Sequence, residues 1–325
     1  MKCVCPDSNL EKHERIREIF RNIEEWIQSD ALQSLVRLFG GEKMETAPLK
    51  AQIQWLNNFV EIWDYRSRNQ NTDVNERWNV FDDEFVLKHK DEIMNCATKL
   101  GLVQETTAVR IPDYIIPLGG ARYSNLDRPM YAGNIYHKIR NANKDQEINI
   151  VALAGSRPIN EKERAATDTY APDAVTEFDA ICRGLEEAFH LNGKYRQDNK
   201  HDENINLCSS VRTYECELPH TNIIALAAPS TEPSRRANSR DTFEYFLDYY
   251  HIKKGDNLLL VTSQIYVPYQ WLKFIDLALE GAFHVECVGY SMREKEALAK
   301  PSNFLQEIKG TVNAIAMLMK KYENV

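Results

Sequence analysis

Hydrophobic positions follow two regimes along the chain, and the change comes near residue 110. Before it, apolar residues recur every three or four positions: Ile16, Ile19, Ile23 and Ile27, then Ile53, Leu56, Phe59, Val60 and Trp63. That period places them on one stripe of a helix. Ser8 with Glu11 reads as a capping box for the first helix, Asp30 with Gln33 as a cap for a second, and Gly40-Gly41 as its end. Thr46 and Pro48 open a third helix, and Asp82-Asp83 start a fourth that stops near Gly101. Four tryptophans (Trp26, Trp55, Trp63 and Trp78) fall in this part. Aromatics at helical spacing predict a bundle core ahead of a lid or partner surface.

After residue 110, short apolar runs alternate with helical ones. The runs are Asp113–Leu118, Ile148–Leu153, Asn222–Ala228, Asn257–Thr262 and His284–Val288. Helices are expected from Pro129, Pro172, Arg240, Pro268 and about Ser302. Leu258, Leu259, Leu260 and Val261 are apolar on both faces of a strand, so this run belongs in the middle of a parallel sheet. Five strands alternating with helices predict an α/β protein with a Rossmann-like, doubly wound, mainly parallel five-stranded sheet. The predicted division is a helical subdomain at 1–108 and an α/β ligand-binding domain at 109–325. Two stretches break the rhythm: the Asn-rich segment Asn192–His220, whose end could add a hairpin or edge strand, and the loop Pro229–Ser239.

Charge and composition narrow the partners. A formal net charge of −8 argues against a nucleic-acid binder. No run approaches the roughly 20 apolar residues of a membrane span. Seven scattered cysteines fit a reduced, cytoplasmic setting, and their spacing suggests no metal site. A homo-oligomer is left open, and no cofactor is assigned.

Candidate chemistry gathers where the strands end, the edge at which open α/β sheets bind ligands. Gly119, Gly120 and Arg122, then Arg128, follow the first strand; Gly155, Ser156 and Arg157, then Arg164, follow the second. Arg235, Arg236, Ser239, Arg240 and Thr242 follow the third, and Thr262, Ser263 and Tyr266 end the fourth. Glycines there let a ligand approach the backbone, and arginines point to an anion such as a phosphate or carboxylate. The competing reading spends these arginines in salt bridges with Asp127, Glu161, Glu163, Glu232 and Asp241 of the same loops. Nucleotide-loop, zinc-protease and serine-hydrolase motifs are absent from the sequence. Glu177 and Glu244, near helix starts at this edge, are the candidate catalytic bases; favourable pairing with the helix dipole explains them equally well.

The order of Gly119-Gly120, Arg128, Gly155-Ser156, Glu177, Ser239-x-x-Thr242-x-Glu244 and Val261-Thr262-Ser263 resembles the YdcF-like (SanA/ElyC) family over about residues 111–290. The resemblance implies a Rossmann-like fold with a strand-edge pocket and a nucleotide-type ligand, in a family with links to the bacterial envelope. Asp241 and Tyr245 stand where that family has asparagines, and Tyr266 and Tyr269 where it has histidine and arginine. Its membrane anchor is missing too. The sequence thus predicts a protein that binds a small anionic or nucleotide-like molecule. It acts as a hydrolase or transferase, or as a non-catalytic sensor whose helical part recruits a partner.

Overall fold

A computed structural model of the chain describes residues 1–42, 47–67, 80–291 and 300–322. Thr46 and Trp78 lie outside the described residues. The chain divides into two compact units: Met1–Thr106 with Gln264–Glu280 and Ser291–Val325, and Thr107–Ser263 with Gly281–Tyr290.

The first unit is helical: α1 (Lys12–Ile27), α2 (Asp30–Leu38), α3 (Leu49–Phe59), α4 (Glu84–Lys88), α5 (Lys90–Lys99), α10 (Val267–Gly281) and α11 (Pro301–Lys321). The predicted stripe of α1 is buried, as are Trp26 and Trp63. Trp26 Nε1 donates to Leu100 O at 3.2 Å, giving the buried indole its partner. The α1 cap differs from expectation by three residues: Glu11 and Glu14 form the reciprocal box. Ser29, one residue before Asp30, caps α2. The helix expected from Asp82-Asp83 is two, α4 and α5, the first capped by Asp83. The terminal helix α11, expected with the α/β part, packs on α3 and α5 instead. It does so through a stripe that includes the buried Leu305, Ile308, Val312 and Ile315. Lys309 of α11 donates to Asp64 at 2.6 Å and lies 3.0 Å from Glu61.

The second unit is a sheet with helices. Its strands are β1 (Tyr114–Pro117), β2 (Ile148–Gly155), β3 (Tyr195–Lys200), β4 (Ser209–Tyr214), β5 (Thr221–Ala228), β6 (Asn257–Ser263) and β7 (His284–Tyr290). Their order is β3-β4-β5-β2-β1-β6-β7. β5, β2, β1, β6 and β7 are mutually parallel and are the five expected runs. The sheet nevertheless has seven strands, which corrects the expected five. β4 lies antiparallel on β5, and β3 antiparallel on β4. β3 is hidden in the sequence because an edge strand exposed on both faces needs no apolar pattern; YRQDNK has none.

The connecting helices are α6 (Ser124–Ala142), α7 (Glu161–Thr167), α8 (Glu177–Ala188) and α9 (Ser239–Tyr250). One face of the sheet, with Ile115, Ile150, Ala152, Ile223, Ala225, Leu259 and Val261, packs in a single core with Ile135 and Tyr136 of α6 and Phe178, Ile181 and Leu185 of α8. α6 and α8 approach closely because Gly184 has no side chain; a Cβ there would sit 2.0 Å from Asn125 O. α9 packs on β2 and β5, and its Phe246 meets the Tyr114 ring edge-on at 5.7 Å. α6 starts at Ser124 rather than at Pro129, which lies inside it. α8 starts at Glu177, after Thr176 and Asp179 close a reciprocal capping box.

Candidate functional site

In the parallel part of the sheet the chain builds outward from β1 in one direction through β2 and β5, then in the other through β6 and β7. The reversal places a topological switch point between the carboxyl ends of β1 and β6, where doubly wound sheets open a ligand crevice.

The turn after β1 is held rigidly. Asn125 clamps Gly120 twice, accepting from its N–H at 2.9 Å and donating to its carbonyl at 2.8 Å. Arg128 reaches back from α6: Nη1 donates to Leu118 O at 2.8 Å and also to Gly119 O, while Nη2 lies 3.5 Å from Ser263 Oγ. Ser263 Oγ in turn donates to Tyr290 Oη at 3.1 Å. Arg128 is thus a buried cation held by two carbonyls after β1 and reaching the Ser263 hydroxyl of β6. Gly119 and Gly120 are required by protein atoms. A Cβ at Gly120 would lie 2.8 Å from Ser124 Cβ and 3.1 Å from Arg128 Nη1, and one at Gly119 only 2.4 Å from Glu177 Oε1. Gly155, by contrast, has room for a methyl group: a Cβ there would meet nothing nearer than 3.9 Å.

Beside this turn stands a largely buried triad. Arg157 Nη1 donates to Glu163 Oε2 at 2.9 Å, and its Nε to Glu177 Oε2 at 3.1 Å. The three side chains are 15%, 2% and 14% exposed for Arg157, Glu163 and Glu177. Burial pushes the Glu177 carboxyl up, against the opposing pull of Arg157, Arg128 and Arg236. Burial alone would lower the Arg157 guanidinium; Glu177 and Glu163 outweigh it and raise it. Glu163 Oε1 is buried without a hydrogen-bond partner among the described residues. Glu163, expected only as a salt-bridge partner in a surface loop, is therefore part of the site. Its signal is Asn160-x-x-Glu163 directly after Gly155-Ser156-Arg157, a capping-box signature, and the two do form that box on α7.

The other expected residues are placed as follows. Arg122 takes a left-handed backbone (φ 55) and its carbonyl accepts from Tyr170 Oη at 2.8 Å. Ser156 Oγ donates to Cys208 O at 3.4 Å. Ser239 begins α9, and its carbonyl accepts from Thr242 Oγ1 at 2.9 Å. Arg240 and Glu244 pair with each other at 2.7 Å along α9. Thr262 is fully buried, with no hydrogen-bond partner for Oγ1 among the described residues. Tyr266, buried in a short 3-10 turn, belongs to the helical unit. Arg235 is spent on Asp241, and Arg164 donates to Ala174 O at 2.7 Å. Burial alone would raise the Asp241 carboxyl; hydrogen bonds from Arg235, Asn238 N–H and Thr231 hold it below the usual carboxylate range. Arg236 is exposed, and its charge acts on Glu177. The structure therefore brings Gly119, Gly120, Arg128, Ser263, Glu177 and Arg157 together, and leaves the Arg240–Glu244 pair as a separate pair on α9.

Among the described residues no group of three or more His, Cys, Asp or Glu side chains could hold a metal ion, and no helix is long and apolar enough to cross a membrane. The second unit defines the protein as a mixed α/β protein with a mostly parallel sheet, extended at one edge by an antiparallel hairpin. Residues 11–101 match the family described as the Rv3785 N-terminal domain. "Uncharacterized protein Rv3785" of Mycobacterium tuberculosis (strain ATCC 25618 / H37Rv) is 30% identical, over 98% of this chain and 95% of the relative. "Uncharacterized protein Mb3814" of Mycobacterium bovis matches to the same extent. The chain belongs to the Rv3785 family. No solved structure matches it. This corrects the resemblance to the YdcF-like family: the relationship is to Rv3785 and runs through the helical part as well as the sheet. Glycines after strands and acidic residues at helix starts recur in many α/β sheets for reasons of backbone geometry and dipole, so their order alone does not establish descent.

Proposed function

We propose that the second unit binds a small anionic ligand, a phosphate- or carboxylate-bearing molecule of which a nucleotide is one kind, at the carboxyl edge of its sheet. The observation that carries this reading is the Glu177 carboxyl, raised by burial and lying against Gly119 at the switch point, with Arg157 bonded to it. A carboxylate so raised suits proton transfer, and a hydrolase or transferase using Glu177 as base is the first reading. Gly155 ends β2 without a side chain, and the exposed Arg236, whose charge acts on Glu177, is a cation at hand for an anion. Arg128 and Arg157, already bonded internally, contribute fixed positive charge. The second reading, a sensor without turnover, is favoured by that same internal engagement of two arginines.

Mass spectrometry of the purified chain, native and then denatured, tests the proposal. The expected result is release of a co-purified anion, with binding weakened by salt and by Arg236→Ala. Conversion of that anion by wild type but not by Glu177→Gln supports the enzyme; retention without conversion supports the sensor. The proposal fails if no anion co-purifies and if phosphates, nucleotides and carboxylates all leave the thermal midpoint unmoved.

A further inference from the structure

β3 is the last strand on one side of the sheet, and among the described residues no strand pairs with its outer edge. Open edges invite pairing with another chain and are ordinarily blunted by proline, bulges or charges that repel. β3 has no proline, and its six residues pair with β4 without a break. Its charges are of both signs: Arg196 and Asp198, two positions apart on the same face and touching each other at 3.2 Å, with Lys200 at its end. They are 81% and 63% exposed.

One hydrogen bond sets the phase of the edge. Glu215 N donates to Lys194 O at 3.0 Å, continuing the register in which Tyr195 faces Tyr214. In an antiparallel ladder both backbone groups of a residue point to the same side, and successive residues alternate. Lys194, Arg196, Asp198 and Lys200 therefore turn their backbone groups toward β4. Tyr195, Gln197 and Asn199 turn theirs outward.

We propose that a second copy of this chain occupies this edge, with β3 pairing antiparallel to β3 about a two-fold axis through Gln197. The two Gln197 residues exchange their N–H and C=O groups, and Tyr195 and Asn199 supply the flanking hydrogen bonds. Arg196 then stands opposite Asp198 of the partner subunit, at a closely spaced position of the ladder, and the two-fold axis repeats the pair. Opposite charges directly across a ladder stabilise it and like charges destabilise it. The central Arg196–Asp198 pairs thus make the middle of the edge complementary to itself, as an isologous contact requires, while the same register sets Lys194 opposite Lys200 of the partner subunit at each end, which weakens the pairing. A pairing of this length buries less than a standard interface, so the dimer is weak and depends on concentration.

Sedimentation velocity of the full chain over a concentration series tests this. The expected result is a monomer–dimer equilibrium weakened by salt. Gln197→Pro removes an outward N–H and spares the β4 ladder, a position where an edge strand accepts proline. Arg196→Asp and Asp198→Arg each place like charges opposite one another, and each variant alone should dimerise about tenfold or more weakly. Mixed together, these two variants restore opposite charges at both positions and should form a heterodimer. Because the mixture regains association, unfolding of either variant cannot imitate the result. A wild type that stays monomeric throughout the series overturns the proposal, whether the edge takes a foreign strand or stays solvated. A dimer untouched by Gln197→Pro, or charge variants that fail to associate on mixing, overturns it as well.

Discussion

Replacing Gly119 with alanine tests how the switch point is built. The new Cβ would lie 2.4 Å from Glu177 Oε1, 2.8 Å from Leu153 O and 3.0 Å from Ala154 Cα. The first neighbour ends a side chain and can swing away. The other two are backbone of β2, whose register with β5 and β1 resists movement. Overpacking of this kind costs about 1–3 kcal/mol. Two of the three close contacts cannot relax cheaply, so about 2 kcal/mol is expected, a fall of roughly 5 °C in the unfolding midpoint of a unit this size. Glu177→Ala removes only the first contact, so in that background the cost of Gly119→Ala should drop by about 0.5–1 kcal/mol and no further. Gly155→Ala, with nothing nearer than 3.9 Å, is the control and should be neutral or slightly stabilising. Thermal unfolding followed by circular dichroism of the four Gly119/Glu177 combinations and the Gly155 control gives all the terms. A Gly119→Ala protein as stable as wild type, or a cycle showing no coupling to Glu177, would refute this account of the turn.

Arg157→Met strands the buried Glu163 and the largely buried Glu177 and should cost about 3 kcal/mol in chemical denaturation, far more than an exposed arginine would; a loss below about 1 kcal/mol would mean the triad is solvated. Asn238→Ala removes the side chain that accepts from Arg240 N–H and Asp241 N–H at the start of α9, and should destabilise by about 1 kcal/mol, read as a shift of the denaturation midpoint. In the helical unit, burial alone would raise Asp64, but hydrogen bonds from Lys309 and Ser67 hold its pKa at about 2, below its ordinary 3.8. Its contribution is therefore present above the unfolded value and is lost as pH falls through the folded one. Discounted for solvent screening, it amounts to about 1 kcal/mol. Lys309→Met should flatten the stability profile between about pH 4 and pH 2; an unchanged acid slope would exclude the pair as its source.

Local patterns in the sequence already determined much of the architecture. The runs that became β2, β5 and β6 are mainly apolar on both faces, and only a sheet covered on both sides satisfies such segments. The helical stripe of α1 and the Thr176-x-x-Asp179 start of α8 likewise depend on residues three or four apart. Tertiary structure alone decided what depends on distant partners. Hydrophobic burial has no direction, so the apolar stripe of α11 told that it is covered but not that α3 and α5 cover it. β3 is a strand because β4 offers a ladder to pair with, and its own residues carry no such signal. Arg128 reads as a loop cation until the fold brings Leu118 O, Gly119 O and Ser263 to its guanidinium. Arg157 finds Glu163 six residues and Glu177 twenty residues along the chain because α7 and α8 both return their first turns to the end of β2. Charge and hydrogen-bonding capacity are properties of single residues; which donor meets which acceptor is settled only when the strands take their order.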